Sequence, residues 1–314
     1  MTEKFRQLPP PGPAWGGSLM GTSIVSRLLV EKDLLVGAGI FAALASVIFI
    51  ALVVGFARYR HPQFRRTTMA EWSMFFIGIL ALGAALSGLT GSGVYRLIGF
   101  WIGAPVTVVT WAIQLTRFDG NPRFTWGLPL VGPSISASVA GWLARDYGNM
   151  YHTMGTVFFV MSILTAVPVF IGVYWAAFHG KVDLSGANSA TAWVPLGVIG
   201  QSTTAMQILY PGKFSVYYGY VALIIAIPLA LFAMRTFYPN VARWVDYSPS
   251  WWASTFPPGT VSMGGHQVAL VNGSHWLDVV ALTIPLLLLA HWTLCSTRFI
   301  GWVLEGRRGS VTLQ

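Results

Sequence analysis

Hydroxyl and amide side chains recur inside apolar segments of this chain, where a helix facing lipid has no need of them. They occur beside glycine and proline, as in WGLPLVGPSISASVAGW and WVPLGVIGQSTT. Such donors can replace part of the water around an anion without a fixed charge, which suits passage rather than tight binding. Irregular backbone at membrane depth is tolerated where it lines a cavity or is buried in protein. The pattern therefore predicts helices around a polar path. The polar residues concerned are Ser18, Thr22, Ser23, Ser87, Ser134, Ser136, Ser138, Gln201, Ser202, Thr203, Ser254, Thr255 and Thr260.

Prolines mark the points at which these segments are expected to break. Proline removes a backbone donor and frees a carbonyl group one turn earlier in a helix. The N-terminal ends of half-helices favour anions because of their unpaired N–H groups. The candidate break points are Pro129, Pro133, Pro195, Pro257 and Pro258.

Buried carboxylates, which pumps and proton-coupled carriers commonly use as relays, are missing from the apolar segments. The 10 acidic residues fall in loops or near segment ends, which favours a channel or facilitator. His291 is the titratable group deep in a segment. It is a candidate proton relay, and it also fits a packed histidine bonded to a carbonyl group.

Metal and haem chemistry finds little support in the sequence. The single cysteine, Cys295, lies in an apolar run, which excludes a disulfide framework and a cysteine metal site. No two histidines have the helical spacing of a bis-histidine haem site. We therefore expect no metal, no cofactor and no enzymatic activity, and we keep a haem-binding or enzymatic membrane subunit as a lesser alternative.

Composition places the chain in lipid. Charged residues make up 9% and apolar residues 54%, whereas a soluble domain carries about 25% charge. The fold class is therefore all-α integral membrane. The net charge of +9 would favour nucleic-acid binding in a soluble protein, but the placement of the charges explains it better, and we expect no nucleic-acid partner.

Apolar runs predict ten membrane-spanning helices, each of about 20 residues, in one domain. Residues 1–13 are predicted as a cytoplasmic N-terminal tail, 14–303 as the membrane domain and 304–314 as a cytoplasmic C-terminal tail. The predicted spans are 14–30, 34–57, 70–90, 93–115, 126–144, 152–178, 192–210, 215–237, 251–271 and 276–303.

Basic residues orient these spans. With both ends in the cytoplasm, the cytoplasmic side holds 14 of the 19 basic residues and the other side holds 5. Cytoplasmic loops carry such an excess of lysine and arginine. The distribution predicts a protein with its N-terminus and C-terminus inside, anchored by tryptophans near segment starts. Those tryptophans are Trp72, Trp126, Trp193, Trp251, Trp252 and Trp276.

Glycine and proline are more frequent in the first, third, fifth, seventh and ninth segments than in those between them. This alternation predicts five helical hairpins, each pairing an inner helix with an outer one. An alternative is that glycine serves close packing between helices.

The odd segments also resemble a known family. SLMGTSIVSRLL is similar to the first-helix "MGTGI" pattern of the tellurite-resistance/dicarboxylate transporter family, and WVPLGVIGQSTTA resembles its seventh-helix "PLGPLGQ" pattern. LPLVGPSISASVAG and WWASTFPPGT resemble its fifth-helix and ninth-helix elements. That family includes TehA-like proteins, fungal sulfite and malate transporters, and plant slow anion channels.

The resemblance implies five hairpins around a central pore, a homotrimer with one pore per subunit, and a ninth-helix phenylalanine that obstructs the pore. By motif position that residue is Phe256, which otherwise would be expected to pack beside the prolines that follow. Two departures concern the path: Ser23 replaces a family glycine and Val198 replaces a family proline.

Together these features predict passage of small anions across the plasma membrane, with lipid as the other partner. The candidates are C4-dicarboxylates such as malate, sulfite, and monovalent inorganic anions; the alternative is a proton-coupled carrier that uses His291. Phe256 is the expected gate. The expected path residues are Gly21, Thr22, Ser23, Pro129, Ser134, Pro195, Gly197, Gln201, Pro257 and Thr260.

Overall fold

Helices make up the regular structure of residues 8–311, which the computed structural model describes, with side chains described through Leu304. Residues 1–7 and 312–314 of the two predicted tails lie outside this range. The α-helices are α1 (Gly16–Val30), α2 (Leu35–Tyr59), α3 (Met69–Thr90), α4 (Val94–Thr116), α5 (Gly127–Tyr147), α6 (Asn149–Phe178), α7 (Val194–Leu209), α8 (Lys213–Ala242), α9 (Phe256–Asn272), α10 (His275–Ala281) and α11 (Ile284–Val311). A turn separates α10 from α11, and together they occupy the tenth predicted segment.

Seven helical stretches within the described residues are long and apolar enough to cross a membrane, so the protein is a multi-pass membrane protein. Helices α1, α7 and α9 have only 15, 16 and 17 residues. At 1.5 Å per residue they reach roughly 22–26 Å, less than the hydrocarbon core of about 30 Å. A 3-10 turn precedes each of them, at Pro13–Trp15, Gly186–Trp193 and Pro249–Ser254. Because all three helices are buried in protein, lipid does not set their length.

Five helices form an inner ring. Helices α1, α3, α5, α7 and α9 contact one another in that order, and α9 contacts α1 to close the ring. Each inner helix also contacts the helix that follows it in the chain, α2, α4, α6, α8 or α10. Helix α5 is almost entirely buried, whereas less than a third of the most apolar stretch of α2, α6 and α8 is buried in the protein.

Close backbone contacts explain several of the glycines. A Cβ at Gly200 in α7 would overlap the backbone of Thr260 in α9 and would lie 2.5 Å from its carbonyl oxygen. A Cβ at Gly83 in α3 would lie 2.7 Å from the carbonyl oxygen of Tyr95 in α4. Small residues permit this approach between membrane helices. For these glycines, helix packing is the better interpretation.

The prolines do not break the helices in the way the sequence predicts. Pro195, Pro257 and Pro258 lie in the first turns of α7 and α9, and Pro129 lies in the first turn of α5. The first turn is where proline is tolerated, because those N–H groups have no partner within the helix. Helix α5 continues through Pro133. The interruption before α9 falls instead at Thr255, between the 3-10 turn and the α-helix.

Most of the tryptophans expected at the membrane interface lie inside the protein. Trp72, Trp193, Trp251 and Trp252 are buried, whereas Trp276 is exposed. For the four buried residues the prediction of interface anchors is wrong, because a tryptophan near a helix start can also pack between helices. Trp193, for example, packs edge-on against His291 with ring centres 4.9 Å apart.

Candidate functional site

A narrow cavity of about 20 Å³ lies where the N-terminal parts of the five inner helices meet. A cavity of this size has room for about one water molecule. Each inner helix, with the turn before it, contributes residues three positions apart, and Trp252 and Pro257 complete the lining. The pairs are Gly17 and Met20, Met74 and Ile77, Leu128 and Val131, Val194 and Gly197, and Ala253 and Phe256. The N-terminal parts of the five inner helices therefore surround one small space.

The lining is apolar, which differs from the polar path that the sequence predicts. The hydroxyl groups of Thr22, Ser134 and Thr260 donate to carbonyl oxygens of Ser18, Val131 and Pro257 in their own helices, at 2.7, 2.8 and 2.8 Å. Serine and threonine in helices commonly make such bonds. These donors are already used within the helices in this conformation.

Phe256 is the first residue of α9 and is 4% exposed. Together with Trp252 of the preceding turn, it supplies the aromatic side chains of the lining. Gly197 of α7 lies in the same lining, and the nearest atom to a Cβ built there is 3.8 Å away, on Val131. The cavity is therefore narrow because of large side chains on several helices, and it is open beside Gly197.

Three of the predicted site residues lie in this lining: Phe256, Gly197 and Pro257. The other predicted path residues belong to the same inner helices but lie outside it. They are Gly21, Thr22, Ser23, Pro129, Ser134, Pro195, Gln201 and Thr260.

The Met20–Gly21–Thr22 motif holds α1 against other helices. A Cβ at Gly21 would overlap the hydroxyl of Thr255. The hydroxyl of Thr22 accepts a 3.0 Å hydrogen bond from Trp292 Nε1 in α11. The neighbouring Ser23 hydroxyl is buried and has no hydrogen-bond partner among the described residues. Of this motif, only Met20 lines the cavity.

Ser138 and Gln201 connect α5 to α7 beyond the cavity. The Ser138 hydroxyl lies 2.9 Å from Gln201 Oε1 and 3.1 Å from the Gln201 carbonyl oxygen. Gln201 follows Gly197 by one helical turn. This polar contact lies about one helical turn beyond the apolar lining, toward the C-terminal ends of α5 and α7.

His291 lies outside the cavity lining and is 2% exposed. Its Nδ1 is 2.8 Å from the carbonyl oxygen of Ser254, and its Nε2 is 3.1 Å from the hydroxyl of Tyr238. Both ring nitrogens therefore have partners in the protein. This is the geometry of a packed histidine, located beside the turn that precedes α9.

A charged cluster at the opposite end of the ring was missed by sequence reasoning. His266 of α9 lies with Nδ1 2.5 Å from Asp278 Oδ1 and Nε2 3.4 Å from Glu31 Oε2, and Glu31 also pairs with Arg27. Burial alone would raise the pKa of Glu31, but hydrogen bonds and charge from His266 and Arg27 lower it overall. Arg27 and Glu31 lie one helical turn apart, but His266 and Asp278 come from a distant part of the chain, and no spacing rule connects the two pairs.

The apolar lining was also missed, although a signal for it exists. The spacing of three residues between lining residues repeats in every inner segment, and residues three apart share a helix face. The predicted path was based on hydroxyl and amide side chains, and most of these pairs were therefore not included in it.

An inner ring of helices around an enclosed space, in a multi-pass membrane protein, is the architecture of a channel or transporter. Comparison with known families agrees. Residues 12–300 match the SLAC1 family, described as a voltage-dependent anion channel. The chain belongs to this family of channels and transporters, and the resemblance to the tellurite-resistance/dicarboxylate transporters is confirmed.

Individual relatives are distant. The chain is 24% identical to the sulfite efflux pump of Trichophyton rubrum over 62% of its own length and 60% of the pump's. It has the same identity and coverage with the sulfite efflux pump of Arthroderma benhamiae. It is 22% identical to an uncharacterized transporter of Methanocaldococcus jannaschii, with 94% of each chain covered.

Proposed function

We propose that this protein lets small anions cross the plasma membrane through the middle of the inner ring, with Phe256 as the gate. The observation that carries the proposal is the cavity at which all five inner helices meet, with Phe256 in its lining. Its volume of about 20 Å³ leaves no space for a polyatomic anion. The conformation is therefore a closed one, in which an aromatic side chain has to move before an anion passes.

The convergence of helix N-termini supports an anion rather than a cation. The first turns of α1, α5, α7 and α9 all contribute to the lining. Each helix N-terminus carries the equivalent of about half a positive charge. Several such ends around one apolar space favour a negative ion there, and they do so without a fixed charge that would hold it.

The membrane arrangement we propose is five hairpins around this pore, with both chain termini in the cytoplasm. Contacts between each inner helix and its successor support the hairpins, and the excess of basic residues on one side supports the orientation. In this orientation the cavity lies toward the cytoplasmic side. The family resemblance supports a homotrimer with one pore in each subunit.

Sulfite, C4-dicarboxylates such as malate, and monovalent inorganic anions are the proposed substrates. Because two relatives are named sulfite efflux pumps, we propose sulfite as the first substrate to test. Because the chain spans 60% of their length, the substrate has to be established for this protein itself.

Flux measurements in liposomes test the proposal. Purified protein is reconstituted, and uptake of sulfite, malate, chloride and nitrate is compared with that of protein-free liposomes. Phe256→Ala is expected to raise flux of the permeant anions several-fold over the unmodified protein. Phe158→Ala in α6 is the matched control, since Phe158 is also buried, at 8% exposed, but lies outside the lining.

Two outcomes would contradict the proposal. Absence of flux above background for all four anions, in both the unmodified protein and Phe256→Ala, would reject anion passage. Equal flux of the unmodified protein and a correctly folded Phe256→Ala, in the presence of measurable transport, would reject the gate alone.

A further inference from the structure

Arg96 is a buried cation at the start of α4. It lies in the first turn of α4 and is 8% exposed. Among the described residues it forms no salt bridge, and its Nε atom is buried without a hydrogen-bond partner. Its backbone N–H donates to the Ser87 hydroxyl at 2.8 Å, which fixes the start of α4 on α3.

Two cations and one carboxylate lie near Arg96. Arg27 and Arg145 are near enough to repel its charge, whereas Asp146 attracts it. The Arg96 guanidinium carbon lies 5.4 Å from the ring centre of Trp142, and that of Arg145 lies 4.4 Å from the same ring. Arg27 is paired with Glu31. A partly desolvated cation that forms no ion pair is costly, and a buried donor normally has a hydrogen-bond partner.

Helical register relates Arg27 and Trp142 to the cavity. Arg27 follows Met20 by seven residues in α1, and Trp142 follows Val131 by eleven in α5. Seven and eleven residues are close to two and three turns, so each pair shares a helix face, about 10–17 Å apart along the axis. Arg27 also lies against Gly88 of α3, because a Cβ built at Gly88 would be 3.2 Å from Arg27 Nη1. Gly88 follows the lining residue Ile77 by eleven residues. The faces that line the cavity thus continue to Arg27 and Trp142.

We propose that Arg96, held against the face of Trp142, binds a small oxyanion together with Arg27 at the end of the path opposite Phe256. The place of this site in transport rests on the proposed function, but its chemistry does not. A guanidinium group presents planar donors that match oxyanions, and here it is held by an indole ring. The site would raise the local anion concentration at the non-cytoplasmic end of the path. Because it lies away from the apolar cavity, anion binding and gating would occur at different places.

Binding is measured first without transport, in phospholipid-free detergent at constant ionic strength. Sulfite and nitrate are expected to raise the unfolding temperature of the unmodified protein. Arg96→Gln should need about ten times more anion for the same rise in unfolding temperature, as expected for loss of a charged hydrogen bond. Arg96→Lys should retain part of the response. Arg145→Gln is the matched control, because exposed Arg145 contacts the same indole ring; it should behave like the unmodified protein.

A lipid phosphate offers the same chemistry as a free oxyanion, so a second arm adds phosphatidylglycerol to the detergent. Stabilisation by this lipid but not by sulfite or nitrate would assign the site to a headgroup and overturn the proposal. A crystal of the unmodified protein soaked in selenite tests it without any variant. Anomalous density is expected beside the Arg96 guanidinium, and its absence at a saturating concentration would overturn the proposal.

Liposome flux then separates this site from the proposed function. Arg96→Gln should raise the half-saturating anion concentration about tenfold, while Arg145→Gln leaves it unchanged. If the unmodified protein binds anions at Arg96 but transports none, the proposed function fails and the site stands. If transport is normal and Arg96→Gln changes neither binding nor half-saturation, the site fails and the proposed function stands.

Discussion

Gly21 of α1 lies directly against Thr255, the residue that precedes Phe256. A Cβ at residue 21 would overlap the Thr255 hydroxyl and would lie 2.9 Å from its Cβ. That hydroxyl donates to the carbonyl oxygen of Trp252 at 2.7 Å, so Thr255 has little freedom to move away. The first inner helix thus fixes the point at which α9 begins.

Gly21→Ala should therefore displace the start of α9. We expect a loss of unfolding free energy of about 1–3 kcal/mol, the usual cost of overpacking, together with a raised basal flux as Phe256 moves with Thr255. Thermal unfolding and liposome flux measure the two effects. The control is Gly39→Ala in α2, where no atom lies within 4 Å of the added Cβ. Identical behaviour of the two variants would show that this contact does not position the gate.

Gly197→Ala should have the opposite effects on stability and on flux, because the nearest atom to a Cβ at residue 197 is 3.8 Å away. Replacement of a helical glycine by alanine stabilises by about 0.5–1 kcal/mol where it fits. The added methyl group enters a cavity of about 20 Å³, so we expect a more stable protein with lower flux. The effect is best measured in a Phe256→Ala background, where flux is higher. Unchanged flux there would mean that the path does not pass Gly197.

The sequence was sufficient to predict the helices but not all of their contacts. Long apolar runs locate the ten segments because each helix satisfies its own backbone in lipid, and the small residues of the odd segments identify the inner ones. Thr22 shows where such reasoning ends. It belongs to a recognisable motif, yet its hydroxyl accepts a bond from Trp292, 270 residues away in the chain. Helical period alone does not indicate which neighbour a face meets.

The candidate site was predicted in part for the same reason. Phe256 was found through a family motif and Pro257 as a proline inside an apolar segment, and both lie in the cavity lining. Arg96 and His266 were not among the predicted site residues. Their significance comes from burial and from partners on other helices, such as Asp278 and Trp142, and burial of a charge cannot be read from local sequence.

Glu31→Gln should make stability depend less on pH. The pKa of Glu31 is lowered in the folded protein from its ordinary value of 4.5. Its ionised form therefore contributes stability that is fully present above that value and is lost as pH falls through the folded pKa. We expect Glu31→Gln to unfold at a lower temperature than the unmodified protein at pH 7, with the difference shrinking below about pH 4.5.

Thermal unfolding between pH 3 and pH 7 measures this difference. Asp33→Asn provides the control, because Asp33 is an exposed carboxylate two residues away and forms no salt bridge among the described residues. A constant difference between Glu31→Gln and the unmodified protein over the whole range would show that the contacts with His266 and Arg27 do not stabilise the ionised carboxylate.

His291→Gln distinguishes a channel from a proton-coupled carrier. Both nitrogens of His291 are occupied by Ser254 and Tyr238, and the ring lies outside the cavity lining, so we expect anion flux and its pH dependence to be retained. Loss of a buried hydrogen bond should cost about 1 kcal/mol of stability. Tyr238→Phe removes the same hydrogen bond without removing the titratable ring and therefore controls for packing. If His291→Gln abolishes proton movement coupled to anion uptake while Tyr238→Phe preserves it, the carrier mechanism is correct and the packed interpretation of His291 is wrong.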